Sequence, residues 1–313
     1  MDGLILVEKP QDYTSHDVVV EIRDILNNKK VGHYGTLDPL ATGLLLLAVG
    51  KATRLFPFFS KLGKVYEGQM RLGFSTDTYD STGKPTSSEN KKYPQKGILL
   101  KAMKKFEGEI HQIPPPFSAK KYKGKPLYEL ARKKKEFELR PSKIFIHFFQ
   151  LIKYNRPFIE FKVRCSSGTY IRSLAFDLGQ SLKCGAHLSK LTRTEVGNFH
   201  IRESFTLENI KRFTEEKKTG EFFLPLEFLL PEFPKIILKE RGSVLAKNGN
   251  KISPENILKI IHEKTFQPNI PNKEESFFRM FSLEGKFLAV AKKVPEIKCF
   301  HPFIVLNSSK IEP

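Results

Sequence analysis

GHYGTLDPLATGLLLLAVGKATR, residues 32–54, joins a glycine-punctuated loop to an apolar run, Leu44 to Val49. Gly35, Pro39 and Gly43 break regular structure across residues 31–43, and the run that follows has the length of a strand rather than of a membrane helix. A buried strand is therefore predicted directly after the loop. Asp38 is the single acid between residues 31 and 43. Read locally, an aspartate before Pro39 is an Asx-type turn residue. Placed on a loop between two apolar elements, it also fits a reactive group carried by a rigid scaffold.

The flanks supply that scaffold. Leu4 to Val7 reads as a buried strand ending at Lys9-Pro10. Thr14 and Asp17 have capping-box spacing, and Val18, Ile22, Ile25 and Leu26 follow at helical spacing. Tyr66, Gly68, Met70 and Leu72 alternate with Glu67, Gln69 and Arg71, which predicts a half-buried strand. Residues 75–94 read as turns, and Pro94 opens a helix expected over 95–106. Two further strands are expected near 143–151 and 158–165. Thr169 then caps a helix whose core face is Ile171, Leu174, Ala175, Leu178 and Leu182, and 187–199 reads as another strand.

That last helix carries an anomaly. Arg172 falls at about its third position, where the helix dipole disfavours a cation by about 0.3–1 kcal/mol. It either points to solvent, where the penalty is screened, or pairs with a buried carboxylate. A carboxylate taken out of water keeps its charge only beside such a cation.

Pro225, Pro231 and Pro234 cluster in LPLEFLLPEFP and mark a domain boundary. Beyond it, an Asn248-Gly249 turn and a Glu284-Gly285 hairpin describe a small β-rich module over 235–313.

Lys and Arg number 53 against 34 Asp and Glu, a net charge of +19, which favours a polyanionic partner such as nucleic acid. The charge concentrates after Pro114-Pro115-Pro116. Residues 120–135 carry eight basic side chains against the one acid Glu129, a net of +7. Tyr122 and Tyr128 lie among them, and aromatic planes beside cations suit unstacked RNA bases beside phosphates. Lys120, Lys121, Lys123, Arg132, Lys133 and Lys134 are the candidate RNA contacts. Three dispersed cysteines, Cys165, Cys184 and Cys299, offer neither a disulfide framework nor metal-ligand spacing. No P-loop or GxGxxG is present, so neither cofactor nor metal is expected. The N-terminus does not read as a signal peptide, and a cytoplasmic protein is expected.

Residues 32–54 resemble the catalytic motif of the TruB family of tRNA pseudouridine synthases. The likeness continues through LILVEKPQDYTSHDVV, KVYEGQMRLGFSTDTYDSTG at 64–83, PPPFSAKKYKGKPLYELAR at 114–132, CSSGTYIRSLAFDLG at 165–179 and CGAHLSKLTRTEVGNF at 184–199. It departs where Lys133-Lys134-Lys135 follow Arg132 and members commonly carry Gly. The resemblance implies that Asp38 is the catalytic carboxylate, Arg172 its ion-pair partner and Tyr66 the ring stacked on a flipped uracil. It also implies that Tyr170 and Leu191 line the base pocket and that His33 contacts RNA. The fold implied is mixed α/β (α+β): a pseudouridine-synthase-like, largely antiparallel sheet flanked by helices, plus a small β-barrel-like module of PUA type. The catalytic domain would span 1–232, with an RNA-contacting thumb over about 106–140, and the RNA-binding module 235–313. The expected activity converts the T-loop uridine at position 55 of tRNA, by a monomer with no guide RNA, protein partner or membrane. Whether Asp38 attacks ribose C1′ or uracil C6, or assists elimination to a glycal, stays open.

Overall fold

The computed structural model describes residues 1–117, 121–122, 125–126, 140–262, 277–294 and 298–306. The strands in chain order are β1 (Gly3–Lys9), β2 (Val31–His33), β3 (Thr42–Val49), β4 (Lys64–Leu72), β5 (Gly108–Gln112), β6 (Lys121–Tyr122), β7 (Lys125–Pro126), β8 (Ser142–Asn155) and β9 (Phe158–Cys165). They continue with β10 (Ala186–Val196), β11 (Phe199–His200), β12 (Phe223–Pro225), β13 (Lys235–Leu238), β14 (Ile257–Ile261), β15 (Phe277–Phe281), β16 (Phe287–Val294) and β17 (Cys299–Val305). Ten of them form one mixed sheet in the order β12-β1-β3-β10-β4-β9-β8-β5, with β11 on β10 and β2 on β3. Only β3 and β10 run parallel within it. Five more form a second sheet, β14-β13-β15-β16-β17.

The unbroken run in β3 has a physical cause. Leu45 and Leu47 pack with Ile5 and Val7 under the helices Ser15–Leu26 and Leu207–Glu215. Leu44 and Leu46 pack on the opposite face with Leu4 and Phe59. A strand covered on both sides reads as continuous apolar sequence rather than as an alternation. β4 is covered on one side only, so Tyr66, Met70 and Leu72 are buried, while Glu67, Gln69 and Arg71 are not.

The structure corrects the sequence expectations at three places. The loop begins three residues late, because Val31–His33 pairs antiparallel with Val49 to Leu47. Thr169 does not cap the following helix: its hydroxyl donates to the Ser166 carbonyl at 2.9 Å, and Tyr170 is the capping residue of the Ile171–Ser181 helix. Arg172 is therefore the second helical residue. A helix, Glu240–Lys247, lies within the β-rich module. The proline cluster, where the sequence places a domain boundary, is packed. Leu226, Leu229, Leu230 and Phe233 are buried in one cluster with Leu4, Leu44 and Leu46 of the large sheet and with Phe281, Phe287, Val290 and Leu306 of the small one. Prolines removed regular backbone there, but the leucines between them still seek burial.

The small sheet also curls. Ile252, ahead of edge strand β14, exchanges two backbone hydrogen bonds of 2.8 and 2.9 Å with Phe300 of the opposite edge strand β17. The apolar packing shared between the two sheets gives a prediction. Deleting 235–313 should uncover Leu44, Leu46 and Phe59 and lower the melting temperature, because removing burial costs about 25 cal/mol per Å². Circular dichroism melts of the truncated and full chains check this, and an unchanged transition would show that the first 232 residues keep an independent core.

Candidate active site

The loop after β2 carries Asp38 and is pinned from three sides. Ser15 Oγ accepts from the Leu37 amide at 2.8 Å, and Leu37 is buried. Lys9, fully buried, donates through Nζ to the carbonyls of Pro10 at 2.7 Å, Tyr13 at 2.6 Å and Pro39 at 3.4 Å. Burial pushes the Lys9 ammonium down to about 8, with the negative charge of Asp38 acting in the opposite sense. Arg193 reaches the loop from β10, donating to Gly35 O at 3.1 Å and Thr36 O at 3.4 Å. Gly35, at φ +112°, makes the left-handed turn that starts the loop.

Arg172 meets Asp38 edge on. Its Nε donates to Oδ2 at 2.8 Å and its Nη2 to Oδ1 at 3.0 Å, a two-point fork across 134 residues of sequence. The side chains differ in exposure, 6% for Arg172 against 38% for Asp38. The cation is thus sealed while one side of the carboxylate stays open to a substrate. The rest of the guanidinium is also occupied. Nη1 donates to Thr78 O at 3.1 Å and forms an ion pair with Asp80 Oδ2 at 3.4 Å. Nη2 donates a second time, to Phe117 O at 2.9 Å. Asp80 is itself buried, and its Oδ1 accepts from Thr78 Oγ1 at 2.7 Å, Thr82 Oγ1 at 2.6 Å and the Thr82 amide at 3.0 Å. A cation in the first turn of a helix is thereby balanced by two carboxylates.

The remaining candidates line the same region to differing degrees. Tyr66 and Leu191 are buried in one apolar cluster with Leu37, Ala41 and Ile171. Burial holds the Tyr66 phenol above its ordinary pKa, and the Arg193 guanidinium beside it pulls the other way. Tyr170, half-buried, is fixed through its backbone: its amide donates to Gln112 Oε1 at 2.8 Å and its carbonyl accepts from Gln112 Nε2 at 3.0 Å. His33 ends β2, with Nδ1 buried and without a partner among the described residues. Burial, then the charge of Arg193, lowers its pKa and so favours the neutral imidazole. Lys121 lies in the β6–β7 pair. Lys120, Lys123, Arg132, Lys133 and Lys134 lie outside the described residues.

Known proteins are similar in sequence. Residues 23–171 match the TruB family pseudouridylate synthase N-terminal domain, and 172–231 match the tRNA pseudouridylate synthase B C-terminal domain. The tRNA pseudouridine synthase B of Clostridium tetani is 41% identical over 296 residues, covering 95% of this chain and 97% of that protein. The chain belongs to the TruB family. A second TruB relative, the tRNA pseudouridine synthase B of Solibacter usitatus, is 43% identical over 249 residues, covering 80% of this chain and 85% of its own length. A crystal structure of a Cbf5-Nop10-Gar1 complex is similar at 26% identity with a TM-score of 0.68, covering 93% of this chain and 78% of that one. Sequence reasoning about this TruB-family site missed Asp80, Gln112, Lys9 and Arg193. The last two had a legible signal. Lys9 keeps the phase of Ile5 and Val7 in its strand, and Arg193 keeps that of Leu191, so each is a cation placed on an apolar face.

Proposed function

We propose that this chain is a tRNA pseudouridine synthase acting on the T-loop uridine at position 55, with Asp38 as its catalytic carboxylate. The observation that carries the reading is the Arg172–Asp38 fork, with its open carboxylate edge beside the apolar wall of Tyr66 and Leu191. Its family membership and the tRNA-named relatives at about 40% identity support the substrate class.

The reaction breaks the N1–C1′ bond of uridine, turns the uracil, joins C5 to C1′, and loses the C5 proton as N1 takes one up. No electron leaves the substrate and no group is donated to it. A carboxylate held by a guanidinium can attack C1′ or C6, or take a ribose proton on a glycal route. The base must first leave its stack, and Tyr66 with Tyr170 and Leu191 supply the surface against which a flipped uracil would lie. His33, neutral and at the head of the catalytic loop, would contact the RNA. The enzyme is proposed to work as a cytoplasmic monomer without guide RNA or protein partner, its 235–313 module serving as a PUA-type second attachment to tRNA. No helix among the described residues is long and apolar enough to cross a membrane. Incubating the purified chain alone with unmodified tRNA and mapping pseudouridine tests this. Product at the T-loop uridine is expected, and no product without added RNA or protein would overturn it.

The basic segment 120–135 gives a separate prediction. Affinity for tRNA should fall steeply with salt, with a log–log slope of about −0.7 to −0.9 for each phosphate neutralised. Replacing Lys133, Lys134 and Lys135 by Ser should flatten that slope while leaving turnover at saturating tRNA. An unchanged slope in a salt titration would place the RNA on another surface.

A further inference from the structure

Arg193 is the largest fully buried side chain among the described residues, at 1% exposure. Its three guanidinium nitrogens all donate to backbone carbonyls: Nε to Leu44 O at 2.7 Å, Nη1 to Thr36 O at 3.4 Å and Nη2 to Gly35 O at 3.1 Å. No ion pair to it occurs among the described residues. A buried cation matched only by dipoles is a costly group to keep, and its location says what it can do.

Two of its acceptors lie in the catalytic loop, two and three residues before Asp38, and the third, Leu44, lies in β3 just after that loop. Arg193 therefore ties both ends of the Asp38 loop to β10. It also stands directly opposite Tyr66 in the antiparallel β4–β10 ladder, on the face that buries Leu191. The backbone is shaped to bring it there. β3 and β10 meet with Gly43 against Arg193, and a side chain at Gly43 would stand 2.4 Å from Arg193 O and 2.8 Å from its amide nitrogen. Gly43 holds φ +101°, a conformation that suits glycine.

We propose that Arg193 is a positioning residue for the isomerisation: it fixes the loop that aims Asp38 and sets a permanent positive charge against the phenol of Tyr66. Asp38 and Tyr66 sit on different elements, and Arg193 is the group that contacts the loop of one and faces the other across the ladder. Arg172 orients the Asp38 carboxylate from the first turn of the Ile171–Ser181 helix; Arg193 holds the backbone that carries it. The charge has a reach beyond these two. With burial as the larger cause, it helps hold the ammonium of Lys64 down at about 8, and it lowers the imidazole of His33. A fixed cation at this point disfavours further positive charge among its neighbours and favours electron density on the Tyr66 oxygen.

This inference rests on the function proposed above, so the test carries its own control. Wild type, Arg193→Lys and Arg193→Met are compared, with circular dichroism and a thermal melt giving the folded fraction of each. Single-turnover pseudouridine formation on unmodified tRNA is measured beside the tRNA dissociation constant. Methionine keeps bulk and removes charge and donors. Its rate per folded molecule should fall about 100-fold, the scale of a misplaced reacting group, with the dissociation constant within about twofold of wild type. Lysine restores the charge without the planar fork and should recover part of that loss. A Met variant that turns over at the wild-type rate per folded molecule overturns the proposal, as does a loss accounted for wholly by weaker tRNA binding. If the Met variant does not fold, the Lys variant decides: a full wild-type rate overturns the role and a slowed rate at intact affinity supports it. An inactive wild type would instead overturn the parent reading.

Discussion

Replacing Asp38 by Asn is expected to abolish pseudouridine formation while leaving tRNA affinity nearly intact. The substitution keeps size and removes the charge. It also turns one oxygen facing Arg172 into an N–H donor, so one bond of the fork, 2.8 Å at Nε or 3.0 Å at Nη2, becomes a donor–donor contact. An interaction used in the transition state lowers turnover and not binding, and removing a reacting group lowers it by on the order of 10⁴-fold or more. The fold should survive. Asp38 is the more exposed partner, at 38% of its side chain, and the loop around it is held by Ser15, Lys9 and Arg193 through backbone atoms that the substitution does not touch. Pseudouridine mapping and a tRNA-binding isotherm on the same preparation separate the two effects. Product from the pure Asn variant would remove Asp38 from the chemistry, and a large rise in dissociation constant would make it a binding residue.

What the sequence showed of this site follows from the range of each interaction. Local patterns were legible. The Thr14–Asp17 capping box forms as expected, with Thr14 Oγ1 accepting from the Asp17 amide at 3.1 Å. The alternation around Tyr66 places it on the buried face. Arg172 stood out because the helix dipole disfavours a cation at a helix start, and of the two readings left open, solvent or a carboxylate partner, it pairs with the carboxylate of the distant loop. Asp80 was illegible because its signal lies in a turn-rich stretch, where Asp and Thr are ordinary residues. Only folding shows that Thr78 and Thr82 spend their hydroxyls holding it against Arg172. Thr169 failed for the converse reason. It has the right type for a cap, but Ser166, three residues back, takes its hydroxyl. The proline cluster shows how composition can mark irregular backbone without marking exposure, since Leu229 and Leu230 are buried between the two sheets. The resemblance to a known family paired Asp38 with Arg172, and the two meet in the structure. Of the surrounding clamp, Ser15 and Asp80 needed coordinates, while Lys9 and Arg193 were marked as cations in phase with apolar strand residues.

Replacing Arg172 should disturb chemistry and stability together, and the two can be separated. Arg172→Ala removes the fork on Asp38, the ion pair to Asp80 and the donors to Thr78 O and Phe117 O. Asp38 is open enough for water to take over part of the lost contact. Asp80 is not, with its side chain at 6% exposure, and a buried carboxylate stripped of its cation costs about 3–5 kcal/mol. The Ala variant is therefore expected to melt well below wild type and to lose about 10³-fold in single-turnover rate, the upper scale for removing a preorganised charged donor. Arg172→Lys restores a charge near both carboxylates but cannot donate along two parallel bonds to Asp38. It should regain most of the stability and only part of the rate, since a poorly aimed carboxylate still costs up to about 100-fold. Adding Asp80→Asn to Arg172→Ala removes the stranded charge while Thr78 and Thr82 still have an amide oxygen to donate to. The double variant should melt closer to wild type than Arg172→Ala alone and remain inactive. Thermal melts and single-turnover assays on the four proteins check each step. A fully active Lys variant would end the claim that the fork geometry matters, and recovery of activity in the double variant would show that Arg172 acts only by neutralising Asp80.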